Sequence, residues 1–112
     1  MKKLVSRIAD IKLREVLDRD RGWSAILFFD FGSVPCEHFR PEFEMFARAM
    51  RAFYCAEIVC DENPTITSKC GVTAVPTTLI LKGGKELGRY EGPYSYDSLK
   101  QRVADLLLKA RE

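Results

Sequence analysis

The chain has 112 residues, of which 46% are hydrophobic and 30% charged, the proportions of an ordinary globular domain with a core to bury. Lys and Arg total 18 against 16 Asp and Glu, and a net charge of +2 lacks the clear basic excess expected of a nucleic-acid binder. The longest unbroken apolar run, Ala25 to Phe29, is far too short to span a bilayer, so neither nucleic acid nor membrane is an expected partner.

The N-terminal stretch MKKLVSRIADIKLREVL opens with Lys2 and Lys3, yet Arg7, Asp10, Lys12 and Arg14 interrupt any apolar core of a signal peptide. This predicts a cytoplasmic protein. Leu4, Ile8, Ile11 and Leu17 share a stripe, the pattern of a short strand leading into a helix. After a polar break at Asp18 to Gly22, Ala25-Ile-Leu-Phe-Phe-Asp-Phe31 reads as a strand buried on both faces, as in a helix-covered sheet.

Gly32 and Ser33 end that strand, and Phe39, Phe43, Phe46 and Met50 recur at helical spacing over about Pro35 to Phe53. Pro41 falls inside this helix, where it removes a backbone hydrogen bond and bends the axis. Ala56-Glu-Ile-Val-Cys60 is the next strand, and Asn63-Pro64 starts a helix that ends by Gly71, because proline suits the first helical position. Thr77-Thr-Leu-Ile-Leu81 follows Val75-Pro76 as a strand. Gly83-Gly84 then signals a type I′ hairpin turn into Glu86 to Glu91. Ser95 caps a last helix, with Asp97 in its first turn and Leu99, Val103, Leu106 and Leu107 as its buried stripe. The order is β-α-β-α-β-α-β-β-α, an α/β domain over residues 1–112 without repeat, linker or low-complexity stretch.

The four cysteines, Cys36, Cys55, Cys60 and Cys70, contain no C-x-x-C pair, and in a reducing compartment they stay free thiols. With His38 as the single histidine and no close cysteine pair, neither a metal nor another cofactor is expected. Cys60 reads as core filling on the opposite strand face from Cys55, and Cys70, before the turn at Gly71, as a redox-sensor candidate. His38 reads as a surface residue of its helix.

Three segments together resemble the thioredoxin family over nearly the whole chain. ILFFDF resembles that family's buried strand with its aspartate, here Asp30. PCEHFRPEFEMFA resembles the segment from the second active-site cysteine into the kinked helix. CDENPTITSKCGVTAVPTTLILKGGKELGRYEG resembles the family's second half, with Asp-x-Asn-Pro, Val-Pro-Thr, the glycine hairpin and a late glycine, Gly92. The resemblance implies a thioredoxin fold, a central mixed sheet flanked by helices. It also implies activity toward protein or peptide thiols and a role in redox homeostasis.

The departure falls on the chemistry. The family's Trp-Cys-Gly-Pro-Cys is replaced by Gly32-Ser-Val-Pro-Cys36. Anchored on Pro35, Cys36 and Pro41, Cys36 takes the second-cysteine position and Ser33 the first, after a shortened loop. Counted from Asp30 without a gap, Cys36 takes the first position and Phe39 the second. Either register leaves one cysteine. Disulfide reduction needs one thiolate to form a mixed disulfide and a second thiol to release it, so a lone Cys36 depends on glutathione or a partner thiol for release.

By resemblance, Cys36, Ser33, Pro35 and Asp30 are the candidate catalytic positions, and Val75, Pro76 and Gly92 the candidate substrate groove. Cys36 is either a thiol activated by its helix N-terminus or a buried vestige packed as a small hydrophobe. Asp30 is either a proton relay for Cys36 or a retained core carboxylate. It is expected to lie largely buried beneath the helix that carries Cys36, and Val75–Pro76 is expected to be cis beside that helix. Three functions follow: a redox-linked adaptor or holdase that binds extended peptides or protein thiols, a monothiol oxidoreductase, and a redox-inert interaction module.

Overall fold

The apolar run becomes β2 (Trp23–Phe29), in which Ala25 to Phe29 are each 0% exposed. A strand of this kind has no solvent face, so it occupies the middle of a sheet covered on both sides. The computed structural model describes residues 5–8 and 22–110. Within them β1 (Val5–Arg7), β3 (Tyr54–Val59), β4 (Thr77–Lys82) and β5 (Lys85–Glu91) join β2 in one sheet of order β1-β3-β2-β4-β5. β1, β3 and β2 run parallel, with Arg7 and Leu27 both paired to Glu57. β4 runs antiparallel to β2, and β5 to β4, which makes the sheet mixed. The helical part of the N-terminal stripe lies outside the described residues.

Helix α1 (Val34–Ala49) lays Phe39, Phe43 and Phe46 on one face of the sheet, where they pack with Ala25, Leu27, Phe29, Cys55 and Val59. Helix α3 (Tyr96–Ala110) adds Leu99 and Val103 to the same layer. The other face buries Ile26, Phe28, Ala56, Ile58, Cys60 and Leu79, packed against Ile66 of the short helix α2 (Pro64–Lys69). The period-2 alternation along β2 and β3 thus divides the core into two layers, with Cys55 in one and Cys60 in the other.

Helix α1 ends at Ala49 rather than near Phe53. The Met50 amide still donates to Phe46 O at 2.8 Å, but its φ of −105° and ψ of 68° leave the helix. Phe53 folds back instead, edge-on to Phe46 at 5.6 Å and against Trp23 at 5.7 Å. β3 accordingly begins at Tyr54 and ends at Val59. Cys60 starts a 3-10 turn, Cys60–Glu62, and is not the last strand residue. In the β4–β5 turn Gly83 and Gly84 have φ of +57° and +82°, the conformation a type I′ turn demands. Ser95 Oγ accepts from the Ser98 amide at 3.1 Å and caps α3, and Glu42 Oε1 of α1 accepts from the Tyr96 amide at 2.9 Å. Two helices on one sheet face are thereby tied through a charge at a helix N-terminus.

Burial pushes the Cys55 thiol from its ordinary 9.0 up to about 12. The unfolded chain ionises near the ordinary value while the native core keeps the proton. Stability is therefore undiminished by this group below pH 9 and falls between pH 9 and 12, by about 1.4 kcal/mol per pH unit. Urea unfolding of Cys55→Val across pH 8 to 10.5 is expected to show a shallower decline than wild type; superimposable slopes would contradict it.

Candidate functional site

The connection from β2 to α1 is Asp30 to Ser33, and each residue in it has a distinct role. Gly32 takes φ of +81°, which a side chain resists, and turns the chain into the helix. Ser33 is the N-cap. Its φ of −84° and ψ of 118° are extended, its Oγ accepts from the Cys36 amide at 3.4 Å, and its carbonyl accepts from the Glu37 amide at 2.9 Å. Val34 and Pro35 open the helix, where the missing proline N–H leaves no donor unsatisfied. Cys36 follows in the first turn and points inward, 1% exposed, into the layer formed by Phe39, Phe43 and Phe29. Around this buried thiol the surface is apolar: Phe31 is 56% exposed and Val34 60%.

The Val75–Pro76 peptide bond is cis. Pro76 is buried, and its carbonyl accepts from the Gly92 amide at 2.8 Å, so these two candidate groove residues are joined directly. Gly92 adopts φ of +103°, a backbone region closed to most side chains. Thr77 Oγ1 donates to Ala74 O at 2.6 Å and pins the turn before β4. Val75 precedes the β4 ladder, is half-buried, and packs against both core layers, including the one that holds Cys36. The loop that carries Val75 and Pro76 and the first turn of α1 thus border the same layer.

Asp30 is not fully enclosed. It is half-buried, the first residue beyond β2, and its Oδ1 accepts from the Asp61 amide at 2.8 Å. The reason is its place at the end of the strand. There the carboxylate accepts from the first turn of Cys60–Glu62 and caps it.

Burial also raises the Cys60 thiol. A hydrogen bond with Thr67 opposes that shift, while the neighbouring Asp30, Cys36 and Asp61 add to it. Cys70 is half-buried and raised by burial, with the Arg89 guanidinium acting in the opposite direction. That guanidinium donates to the carbonyls of Cys70 and Gly71 and closes the end of α2 against β5. His38 is exposed on α1. Among the described residues no group of three His, Cys, Asp or Glu side chains is placed to hold a metal ion. No helix there is long and apolar enough to cross a membrane.

A charged cluster beside the loop escaped the sequence reading. Glu57, 8% exposed in mid-strand, accepts from Arg7 Nε at 2.9 Å and pairs with Arg7 at 2.8 Å and Arg40 at 3.4 Å. The two guanidiniums lie over the rings of Phe29 and Phe31, closest at 4.4 Å for Arg40 on Phe29. The available signal was a glutamate inside the apolar strand YCAEIV, since a buried carboxylate requires partners.

The placement of Asp30 predicts a cap, not a costly core charge. Asp30→Asn retains an acceptor oxygen and is expected to leave stability nearly unchanged, whereas Asp30→Ala should lose about 1 kcal/mol in urea unfolding. A gain in stability from both variants would instead mark an uncompensated buried carboxylate.

Comparison with known proteins agrees with this architecture. The family model described as Thioredoxin matches residues 14–105. Thioredoxin from Alicyclobacillus acidocaldarius subsp. acidocaldarius is 34% identical over 74 residues, 65% of this chain and 70% of that protein. Protein disulfide-isomerase A3 from Gallus gallus is 27% identical over 96 residues, 85% of this chain but only 19% of that longer protein. Among solved structures, mitochondrial thioredoxin 3 from Saccharomyces cerevisiae, in its oxidized form, superposes with a TM-score of 0.81 at 22% identity, covering 90% of this chain and 94% of its own. With the matched span, the five-stranded mixed sheet and the helices on both its faces, the chain belongs to the thioredoxin family.

Proposed function

We propose that residues 1–112 form one thioredoxin-like domain that binds an extended peptide or protein thiol in the groove bordered by Val75, Pro76 and Gly92, and serves as a redox-linked adaptor or holdase. The observation that carries this reading is the exchange of roles at the start of α1. A serine hydroxyl occupies the N-cap, where the helix dipole would activate a thiolate, and the one thiol in the motif is 1% exposed. Ser33 as N-cap and Cys36 three residues into the helix, five before Pro41, support the register in which Ser33 stands at the first-cysteine position. Pro35 then sets the helix start, and Asp30 acts on the neighbouring turn more than on Cys36.

The groove would bind by strand addition. A backbone segment ahead of β4 can pair with an extended peptide, with affinity from main-chain hydrogen bonds and selectivity from flanking side chains. The exposed Phe31 and Val34 supply apolar contact on the α1 side. A reducing compartment such as the cytoplasm would keep Cys36, Cys55, Cys60 and Cys70 as free thiols.

A second reading, a monothiol oxidoreductase resolved by glutathione or a partner thiol, is favoured by one observation: Cys36 lies within the first turn of a helix. Its thiolate would attack a partner disulfide, forming one S–S bond as the partner's other sulfur leaves as thiolate. An external thiol would then release the product.

Wild type is expected to catalyse little or no reduction of insulin by dithiothreitol, and native Cys36 to alkylate far more slowly than in the unfolded chain. Ser33→Cys restores a C-x-x-C spacing and should raise insulin reduction. Rapid alkylation of Cys36, with a glutathione adduct absent from Cys36→Ser, would replace the adaptor reading by the monothiol enzyme. Robust wild-type turnover that survives in Cys36→Ser would overturn both.

A further inference from the structure

We propose that Arg7 and Arg40, over the exposed ring of Phe31, form a carboxylate subsite at the rim of this groove, holding an acidic side chain of the bound polypeptide. The inference rests on the groove reading above and adds the chemistry of its partner. Two guanidiniums here share one carboxylate, and all three of their short contacts fall on a single oxygen, Glu57 Oε1. The cluster therefore keeps one positive charge in excess. Glu57 is nearly covered, its side chain 11% exposed, while those of Arg7 and Arg40 are 44% and 36% exposed. The carboxylate is inside while both arginine side chains reach solvent, and Arg40 Nε is buried without a hydrogen-bond partner.

Each guanidinium carries five N–H donors in a fixed plane, the geometry that matches a carboxylate through two parallel bonds. Contact with the rings of Phe29 and Phe31, with guanidinium carbons 4.4 to 5.5 Å from the ring centroids, restricts both side chains before any ligand arrives. Pre-orientation reduces the entropy lost on binding. Asp30 Oδ1 accepts from the Asp61 amide, and among the described residues no ion pair joins Asp30 to Arg7 or Arg40.

Position links this cluster to the groove. Phe31 is two residues before Ser33 and T-shaped against Phe29 at 5.1 Å. Arg40 is four residues after Cys36 on α1, so the two lie one turn apart on neighbouring positions of one helix face. A peptide crossing the first turn of α1 would meet the ring of Phe31 and the guanidiniums together. One excess charge in a planar fork calls for a carboxylate, as on an aspartate or glutamate of the partner chain.

The test uses the full-length ¹⁵N-labelled chain and two blocked, extended peptides of identical apolar sequence that differ only by Glu or Gln at one position. Titrations run at about 10 mM and about 200 mM salt, where screening differs strongly. The Glu peptide is expected to bind about five-fold more tightly at low salt, the effect of one unscreened contact in water. That preference should shrink at high salt, with amide shifts at Phe31 and Arg40 that the Gln peptide does not produce. Arg7→Gln leaves one arginine matched to one glutamate and should abolish the preference without weakening the Gln peptide. Arg7→Lys keeps the charge and should retain part of the preference. Equal binding of the two peptides to wild type, or a preference that survives Arg7→Gln, would overturn the subsite while leaving the groove intact. If neither peptide shifts the amides of Val75 and Gly92, the groove reading fails, and the subsite with it.

Discussion

A strand with five successive apolar residues, and so no polar side chain along that run on either face, has to be enclosed, and β2 imposes that requirement on everything around it. Ala25 to Phe29 are fully buried, so strands flank β2 on both edges and helices cover both of its faces. At about 25 cal/mol per Å² of apolar surface removed from water, a buried phenylalanine stabilises the fold by about 2 to 3 kcal/mol. The layer under α1 and α3 contains Phe29, Phe39, Phe43 and Phe46 together. The helical stripe on α1 exists to meet that sheet face, and the Glu42 contact to the start of α3 holds the second helix in register with the first.

The site follows from where this enclosed strand stops. Once β2 ends at Phe29, the chain must turn at once to bring α1 back over the sheet, and Gly32 and Ser33 make that turn. The first turn of α1 is therefore fixed at the end of the central strand, with Cys36 directed into the core. On the other side of β2 the Val75–Pro76 loop leads into antiparallel β4, and its carbonyl is held by Gly92 at the end of β5. The two halves of the candidate groove are positioned by neighbours of one strand, which is why residues forty positions apart in sequence border one layer.

In the proposed register, a serine in place of the first thiol alters what such a site can do. A serine caps a helix as well as any residue, so the fold is satisfied. A serine is also redox-silent, so covalent release by a neighbouring thiol is lost. Beside it lie the exposed Phe31 and Val34 and the Arg7–Arg40 pair over the rings of Phe29 and Phe31. The Glu57 cluster shows the same economy: a carboxylate buried in β3 is tolerable because Arg7 from β1 and Arg40 from α1 reach it from two directions.

Elements with strong local signals were legible in the residues themselves. The apolar run of β2, the helical stripe Phe39-Phe43-Phe46, the Gly83-Gly84 turn and the Ser95 cap each encode a short-range preference, and each stands where it was read. The absence of a C-x-x-C pair around Cys36 was equally plain from sequence. What local pattern left open was set by contacts between distant segments. Helix α1 stops at Ala49 because Phe53 is drawn back onto Trp23 and Phe46. Asp30 looked like a core carboxylate because its sequence neighbours are phenylalanines, yet the strand ends one residue before it and the Asp61 amide lies within reach. Glu57 drew no notice because its two partners, 50 and 17 positions away, have no sequence signature of their own. Periodicity and turn chemistry act within a few residues and so can be read from the chain; the pairing of a buried charge depends on which segments the sheet order makes neighbours, and only the tertiary structure decides that.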